Sequence, residues 1–195
     1  AIYRCKCSML AEPWMKPGDK VLFAGAGHGK EAIYAAEQGA RVTVVELSEA
    51  MLRKFREAVE KTGKDLDIRS VHADIFDVEE YGQYDMVTGN FFFNLFPREM
   101  VPKVLEHLIK LTREDGYVVI SDFAYPQGNP LAKLFKQVYW YTAILIFWAT
   151  TGAVVHPVYD YKRYMEDAGL KVREIKHTPF LGIDAYTSML GQRTG

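Results

Sequence analysis

The sequence predicts an α/β domain built on a mostly parallel sheet, and three observations carry that prediction. Short β-branched runs alternate with segments whose apolar residues recur at helical spacing, a glycine-rich turn directly follows the first run, and two strand-like runs close the chain with no helix between them. With 195 residues, 49% of them hydrophobic and 25% charged, the chain has apolar side chains enough for one sizeable core. Collagen-like, disordered and disulfide-scaffold classes are excluded.

From Lys20 to Asp122 the strand-like runs are Val21–Phe23, Val42–Val45, Ile68–Val71, Tyr84–Thr88 and Tyr117–Ile120. Helices are expected at about 30–38, 49–62 and 98–112; in the last, Val101, Val104, Leu105, Leu108 and Leu111 mark one face. Gly39, Gly63 and Gly116 mark the expected helix ends. After Asp122, Pro126, Gly128 and Pro130 lead into an aromatic segment, Leu131–Val155. A short helix Tyr161–Ala168 and strands Val172–Ile175 and Ala185–Leu190 follow, the two strands forming an antiparallel edge hairpin.

Charge and cysteine usage bound the partners. Twenty-four Lys and Arg against 25 Asp and Glu leave a formal charge of -1, so no global field draws the molecule to nucleic acid or to an anionic bilayer. Cys5 and Cys7 are too close for an ordinary bridge and too few for a metal site, so no metal is expected and a reducing, cytoplasmic setting is the default. Because the chain starts at Ala1 rather than Met, its start says nothing about export.

Gly25-Ala26-Gly27-His28-Gly29 follows the first strand and opens a helix, so the backbone can approach a ligand held at the helix N-terminus. Glu46, ending the second strand, is placed to accept hydrogen bonds from ribose hydroxyls. A dinucleotide fingerprint wants Gly-x-Gly-x-x-Gly, whereas this loop is Gly-x-Gly-x-Gly followed by Lys30-Glu31. Glu31 in the first helical turn competes with a pyrophosphate for the positive helix end, so a cationic or zwitterionic nucleoside fits better.

Four motifs in order, Val21–Gly29, Val44–Ser48, His72–Phe76 and Tyr84–Asn90, resemble the class I S-adenosylmethionine-dependent methyltransferases over about Lys20–Asp122. The resemblance implies a Rossmann-like, seven-stranded, mostly parallel sheet with an antiparallel closing hairpin and helices on both faces, to which the aromatic segment adds an inserted lid helix. It implies S-adenosylmethionine as cofactor and S-adenosylhomocysteine as product. By position, Gly25, Gly27 and Gly29 line the methionine part, with Ala26 counted in the same set; Glu46 holds the ribose and Leu47 packs on adenine. Asp74 and Ile75 meet the adenine edge, and Gly89 and Asn90 face the methyl donor. One domain over 1–195 is expected, with a cofactor-binding core at 20–122, an acceptor and lid segment at 123–170 and the hairpin at 171–195. Phe23 departs from the family, which usually carries Asp or Glu there for the methionine end; an aromatic ring cannot accept that hydrogen bond. The ammonium is then left to backbone carbonyls of the Gly25 loop and to another side chain. Thiopurine-methyltransferase-like members also lack that acid, and the chain is loosely similar to them and to quinone-ring methyltransferases.

Transfer from a sulfonium needs positioning and water exclusion more than a base. Phe91, Phe92, Phe93 and Phe96 directly follow Asn90 at the carboxyl end of the fourth strand, either as an acceptor wall or as core under a loop. The uncharged run Gln137–Val155 reads as a lid, a core helix or a membrane-surface contact; Trp140 and Trp148, about 12 Å apart on a helix, cannot mark both interfaces of a span. His156, Tyr159 and Tyr161 are candidates to orient or deprotonate an acceptor, and a helix cap at Asp160 with packing tyrosines is the alternative. His156, Tyr159 and Asn90 are thus the catalytic candidates. Tyr3 and Arg4 lie where related enzymes close the cofactor pocket, with Arg4 a partner for the methionine carboxylate. His28 either contacts the cofactor or fills the loop. The expected activity is methyl transfer to a small apolar or aromatic acceptor. Its alternative is a cofactor-binding, partner-docking module without transfer; no nucleic acid is expected, and Leu131–Val155 is the place for a peripheral membrane contact.

Overall fold

The strand β1 (Lys20–Ala24) turns Leu22 and Ala24 to one side and Val21 and Phe23 to the other, and all four are buried. A strand apolar on both faces must be covered on both, which is the demand of a parallel sheet. The computed structural model describes residues 2–125, 158–180 and 183–194. In it β2 (Arg41–Glu46), β3 (Ile68–His72), β4 (Tyr84–Asn90) and β5 (Thr112–Phe123) run parallel to β1, while β7 (Ile183–Arg193) lies antiparallel between β5 and β6 (Leu170–Phe180). The order is β3-β2-β1-β4-β5-β7-β6, the seven-stranded Rossmann-like arrangement expected.

Helices α2 (Lys30–Glu37) and α3 (Glu49–Glu60) cover one face together with the segment after α1 (Ile2–Cys7), burying Met9, Leu10, Phe23, Ala32, Ala35 and Phe55 among the strands. The other face takes α4 (Val101–Leu111) and α5 (Tyr161–Asp167). Val104, Leu105, Leu108 and Leu111 of α4 are each at most 1% exposed, worth roughly 1.5–3 kcal/mol apiece in apolar burial. Local caps set the starts: Ser48 accepts from the Met51 N–H for α3, and Asp160 accepts from the Arg163 N–H for α5.

Two expectations are corrected. Helix α4 starts at Val101 rather than near 98, with Pro102 in its first turn, where a missing N–H costs no bond. Gly116 does not end that helix, because the chain passes from Leu111 straight into β5. It sits instead where β5 bulges against β4, Tyr84 opposing Thr112 and Met86 opposing Tyr117; a Cβ there would stand 2.9 Å from the Asp85 carbonyl oxygen. Among the described residues no helix is long and apolar enough to cross a membrane.

Candidate functional site

The chain reverses between β1 and α2 through Gly25, Gly27 and Gly29, all at positive φ. At Gly29 (φ 70°) a Cβ would lie 2.2 Å from the buried Phe55 ring, so this turn admits only glycine. Next to it the Glu46 carboxylate accepts from the Ala26 N–H and the Ser48 N–H, both at 2.8 Å. Two of its roughly four acceptor positions are thereby used and the others remain for a ligand. Asp74 accepts from the Phe76 N–H at 3.0 Å and caps the short turn Ile75–Asp77. Glu46, Leu47, Asp74 and Ile75 meet Gly25 around one cavity of about 520 Å³ at the carboxyl edge of the sheet. Leu47 stands at its mouth, 67% exposed. Gly27 and His28 are exposed beside it, while Ala26 is buried beneath.

The aromatic run divides. Phe92 and Phe96, ring centroids 5.1 Å apart, line the same cavity with Leu95. Phe93 is fully buried; a Cβ on Gly89 would come 2.8 Å from its ring, so Gly89 is where β4 admits it. Phe91 takes a left-handed φ of 52° and donates its N–H to the Ser121 carbonyl, its ring meeting Phe123 and Tyr186 edge-on. The rings therefore divide between the cavity lining, Phe92 and Phe96, and the core, Phe93. At the end of β4, Asn90 Oδ1 and Thr88 Oγ1 are buried without a hydrogen-bond partner among the described residues.

Sequence reasoning missed Asp122. Its side chain is 2% exposed near the end of β5, where it accepts from the Tyr161 hydroxyl and the Phe123 N–H, both at 2.8 Å. Burial pushes its carboxyl up to about 6, against the downward pull of Phe123, Tyr161 and the Asn94 backbone. Burial, then the Asp122 charge, raises the Tyr161 hydroxyl far above its ordinary range. Tyr159, singled out as an acceptor-orienting group, is 1% exposed and donates to the Phe96 carbonyl at 2.9 Å. Tyr159 thus ties the segment before α5 to the aromatic turn, and Tyr161 ties α5 to the end of β5. His156 and the run Leu131–Val155, with Trp140 and Trp148, lie outside the described residues.

The N-terminal helix also differs from expectation. Tyr3 and Arg4 are exposed on α1, and Lys6 is the side chain that reaches the start of α2, just after the glycine loop. Residues two apart on a helix point about 200° from one another, so Arg4 and Lys6 cannot share that side. Lys6 forms an ion pair with Glu31 in the first turn of α2, and its Nζ lies 5.3 Å from the centre of the Phe91 ring.

A cavity of this size suits a nucleoside, and its acid, its glycine turn and the unpartnered Asn90 oxygen fit the cofactor expected from the motifs. Comparison with known proteins agrees. Residues 21–116 match the family model described as a methyltransferase domain. The chain is similar to ubiquinone biosynthesis O-methyltransferases of Stutzerimonas stutzeri (28% identical over 170 residues, 81% of this chain and 67% of that protein) and Pseudomonas aeruginosa (33% over 124 residues, 62% and 50%). It thus spans two thirds of the first and half of the second. Its fold is similar to that of the Burkholderia thailandensis 1,6-didemethyltoxoflavin-N1-methyltransferase, solved with its acceptor and S-adenosylhomocysteine (TM-score 0.74, 20% identity, 100% of this chain and 79% of that one). It is likewise similar to the Synechocystis magnesium protoporphyrin IX methyltransferase with S-adenosylhomocysteine (TM-score 0.69, 21% identity, 91% and 75%). Residues 21–116 thus form a methyltransferase domain, and the ordered motifs and strand order match the class I S-adenosylmethionine-dependent type.

Proposed function

We propose that this chain transfers the methyl group of S-adenosylmethionine to an oxygen on a small apolar or aromatic acceptor. The observation that carries the reading is that Phe92, Leu95 and Phe96 wall the same cavity as Glu46 and Asp74, so an apolar surface stands beside the nucleoside groups. The names of the two curated relatives support an oxygen acceptor. The cofactor, when bound, supplies an activated methyl on a sulfonium. Glu46 accepts from the ribose hydroxyls with its unused positions, Leu47 covers the adenine, and Asp74 with Ile75 borders the adenine edge. Gly25, Ala26, Gly27 and Gly29 bring main chain close to the methionine part. Gly89 and Asn90 face the donor, and the aromatic turn excludes water and orients the acceptor, which needs no strong base if it arrives ionised. Tyr159 acts through Phe96, holding that turn in place. His156 is proposed as the group that takes the acceptor proton. The domain is proposed to run as one unit over 1–195, with acceptor selection in 123–170 and a peripheral membrane contact through Leu131–Val155.

Incubating the purified chain with S-adenosylmethionine and a panel of catechols, quinols and thiols tests this. The expected result is acceptor-dependent release of S-adenosylhomocysteine with phenolic compounds. Tight cofactor binding without release for any acceptor would instead support the cofactor-binding, partner-docking alternative.

A further inference from the structure

We propose that Lys6 and Glu31 are the recognition pair for the amino-acid end of the cofactor: each charge neutralises the other in this structure, and each takes the opposite charge of the bound zwitterion. This rests on the reading of the cleft as the S-adenosylmethionine site. The family's acid is replaced by Phe23, which is 4% exposed and packed among Ala26, Ala32 and Met86, so it offers the ammonium nothing. Glu31 is the nearest acid after the glycine loop, in the first turn of α2.

The position of the pair follows from the topology. Glu31 lies just beyond β1 and Phe91 just beyond β4, two strands that pair directly, and Lys6 meets both. Its ammonium therefore bridges the crevice between neighbouring strand ends, where open sheets bind ligands. The cavity is lined by Asp74, Glu46, Gly25 and Phe92; the pair lies outside that lining, with Lys6 beside Phe91, the chain neighbour of Phe92. On β4, Thr88 and Asn90 share the face of Met86, which packs with Ala32 of α2. Their unpartnered oxygens add neutral acceptors on the side where the ammonium is expected.

The energetics favour exchange. The Lys6 and Glu31 side chains are only 12% and 14% exposed, and a pair so far out of water returns little net stability. Removing one partner strands the other, whereas a zwitterion satisfies both. Helix α1 is held from elsewhere, since Lys176 of β6 donates to Ser8 Oγ at 2.9 Å. Lys6 can therefore part from Glu31 without α1 leaving the sheet.

Calorimetric titration with S-adenosylhomocysteine and with 5′-methylthioadenosine, which keeps the nucleoside and lacks the amino-acid end, tests the pair. Glu31→Gln and Lys6→Met should each weaken S-adenosylhomocysteine about tenfold to hundredfold and leave 5′-methylthioadenosine within about twofold. Lys6→Arg, which keeps the charge, should retain most of the affinity and controls for folding. Unchanged S-adenosylhomocysteine binding in the Gln and Met variants, or an equal loss of both ligands, overturns the pair while leaving the nucleoside site standing. A wild-type chain that binds neither ligand overturns the reading of the cleft and the pair with it.

Discussion

On the β2 side of the cleft Glu46 meets main-chain donors, the N–H groups of Ala26 and Ser48, whereas on the β4 side the aromatic turn and the end of β5 are tied down by side chains from far along the chain. Tyr161 reaches Asp122 across 39 positions, and Tyr159 reaches the Phe96 carbonyl across 63. The first wall needs a strand, a glycine turn and one acid, so a short motif specifies it. The second needs several segments to arrive together, and each is free to vary with what the wall must recognise. On the proposed function, the difference separates a general half that holds a nucleoside from a particular half that selects an acceptor.

The largest expected effect comes from restoring the family's acid. Phe23→Asp removes a buried ring, at a cost of about 3–5 kcal/mol for the cavity alone, and leaves a carboxylate without a partner. Urea denaturation should show that loss; near-wild-type stability would mean the first wall tolerates side-chain change and the contrast fails.

Next in size is a pH effect confined to the second wall. Asp122 is raised from 3.8 to about 6 in the folded chain, so the folded state holds its proton more tightly than the unfolded state does. Its contribution is full below about pH 4 and is lost as pH rises through about 6, by roughly 3 kcal/mol. Glu80, held below its usual range chiefly by Arg69, works with the opposite sign at lower pH, so the readout is the difference between wild type and Asp122→Asn. Denaturation curves at pH 4 and pH 7 should show wild type losing more stability than the variant; parallel losses would sink the assignment.

Smaller again is Glu46→Ala, expected to weaken S-adenosylhomocysteine by about 1.5–3 kcal/mol in calorimetry while acceptor preference stays as it was. Leu95→Ala should do the reverse. At 66% exposure Leu95 costs folding no more than about 0.5 kcal/mol, yet acceptor KM should rise with cofactor affinity unmoved. If Leu95→Ala weakens the cofactor as much as the acceptor, the two walls are one site and the distinction collapses.

That contrast also explains what the sequence disclosed. Gly25 of the glycine turn, Glu46, Asp74 and Ile75 were legible because spacing along a strand–turn–helix unit fixes their positions in space, and the structure gathers them around one cavity. Asp122 and Lys6 were not, since nothing near either residue announces a partner 39 or 25 positions away. A lone Asp at the end of an apolar strand was the available signal. Gly116 was misread for a related reason: a helix end and a bulge both call for glycine, and only pairing with β4 tells them apart.

The position of β7 bears on how the sheet is completed during synthesis. Because β7 lies between β5 and β6, the earlier of the hairpin strands has no neighbour in the sheet until the later one has been translated. At roughly 5–20 residues per second, the stretch from β5 to the end of β7 takes several seconds to emerge. Throughout that interval Val118, Val119 and Ile120 sit on an open sheet margin, able to pair with another nascent chain. The ribosome's pace, as well as the finished contacts, sets how long this protein is vulnerable to clumping.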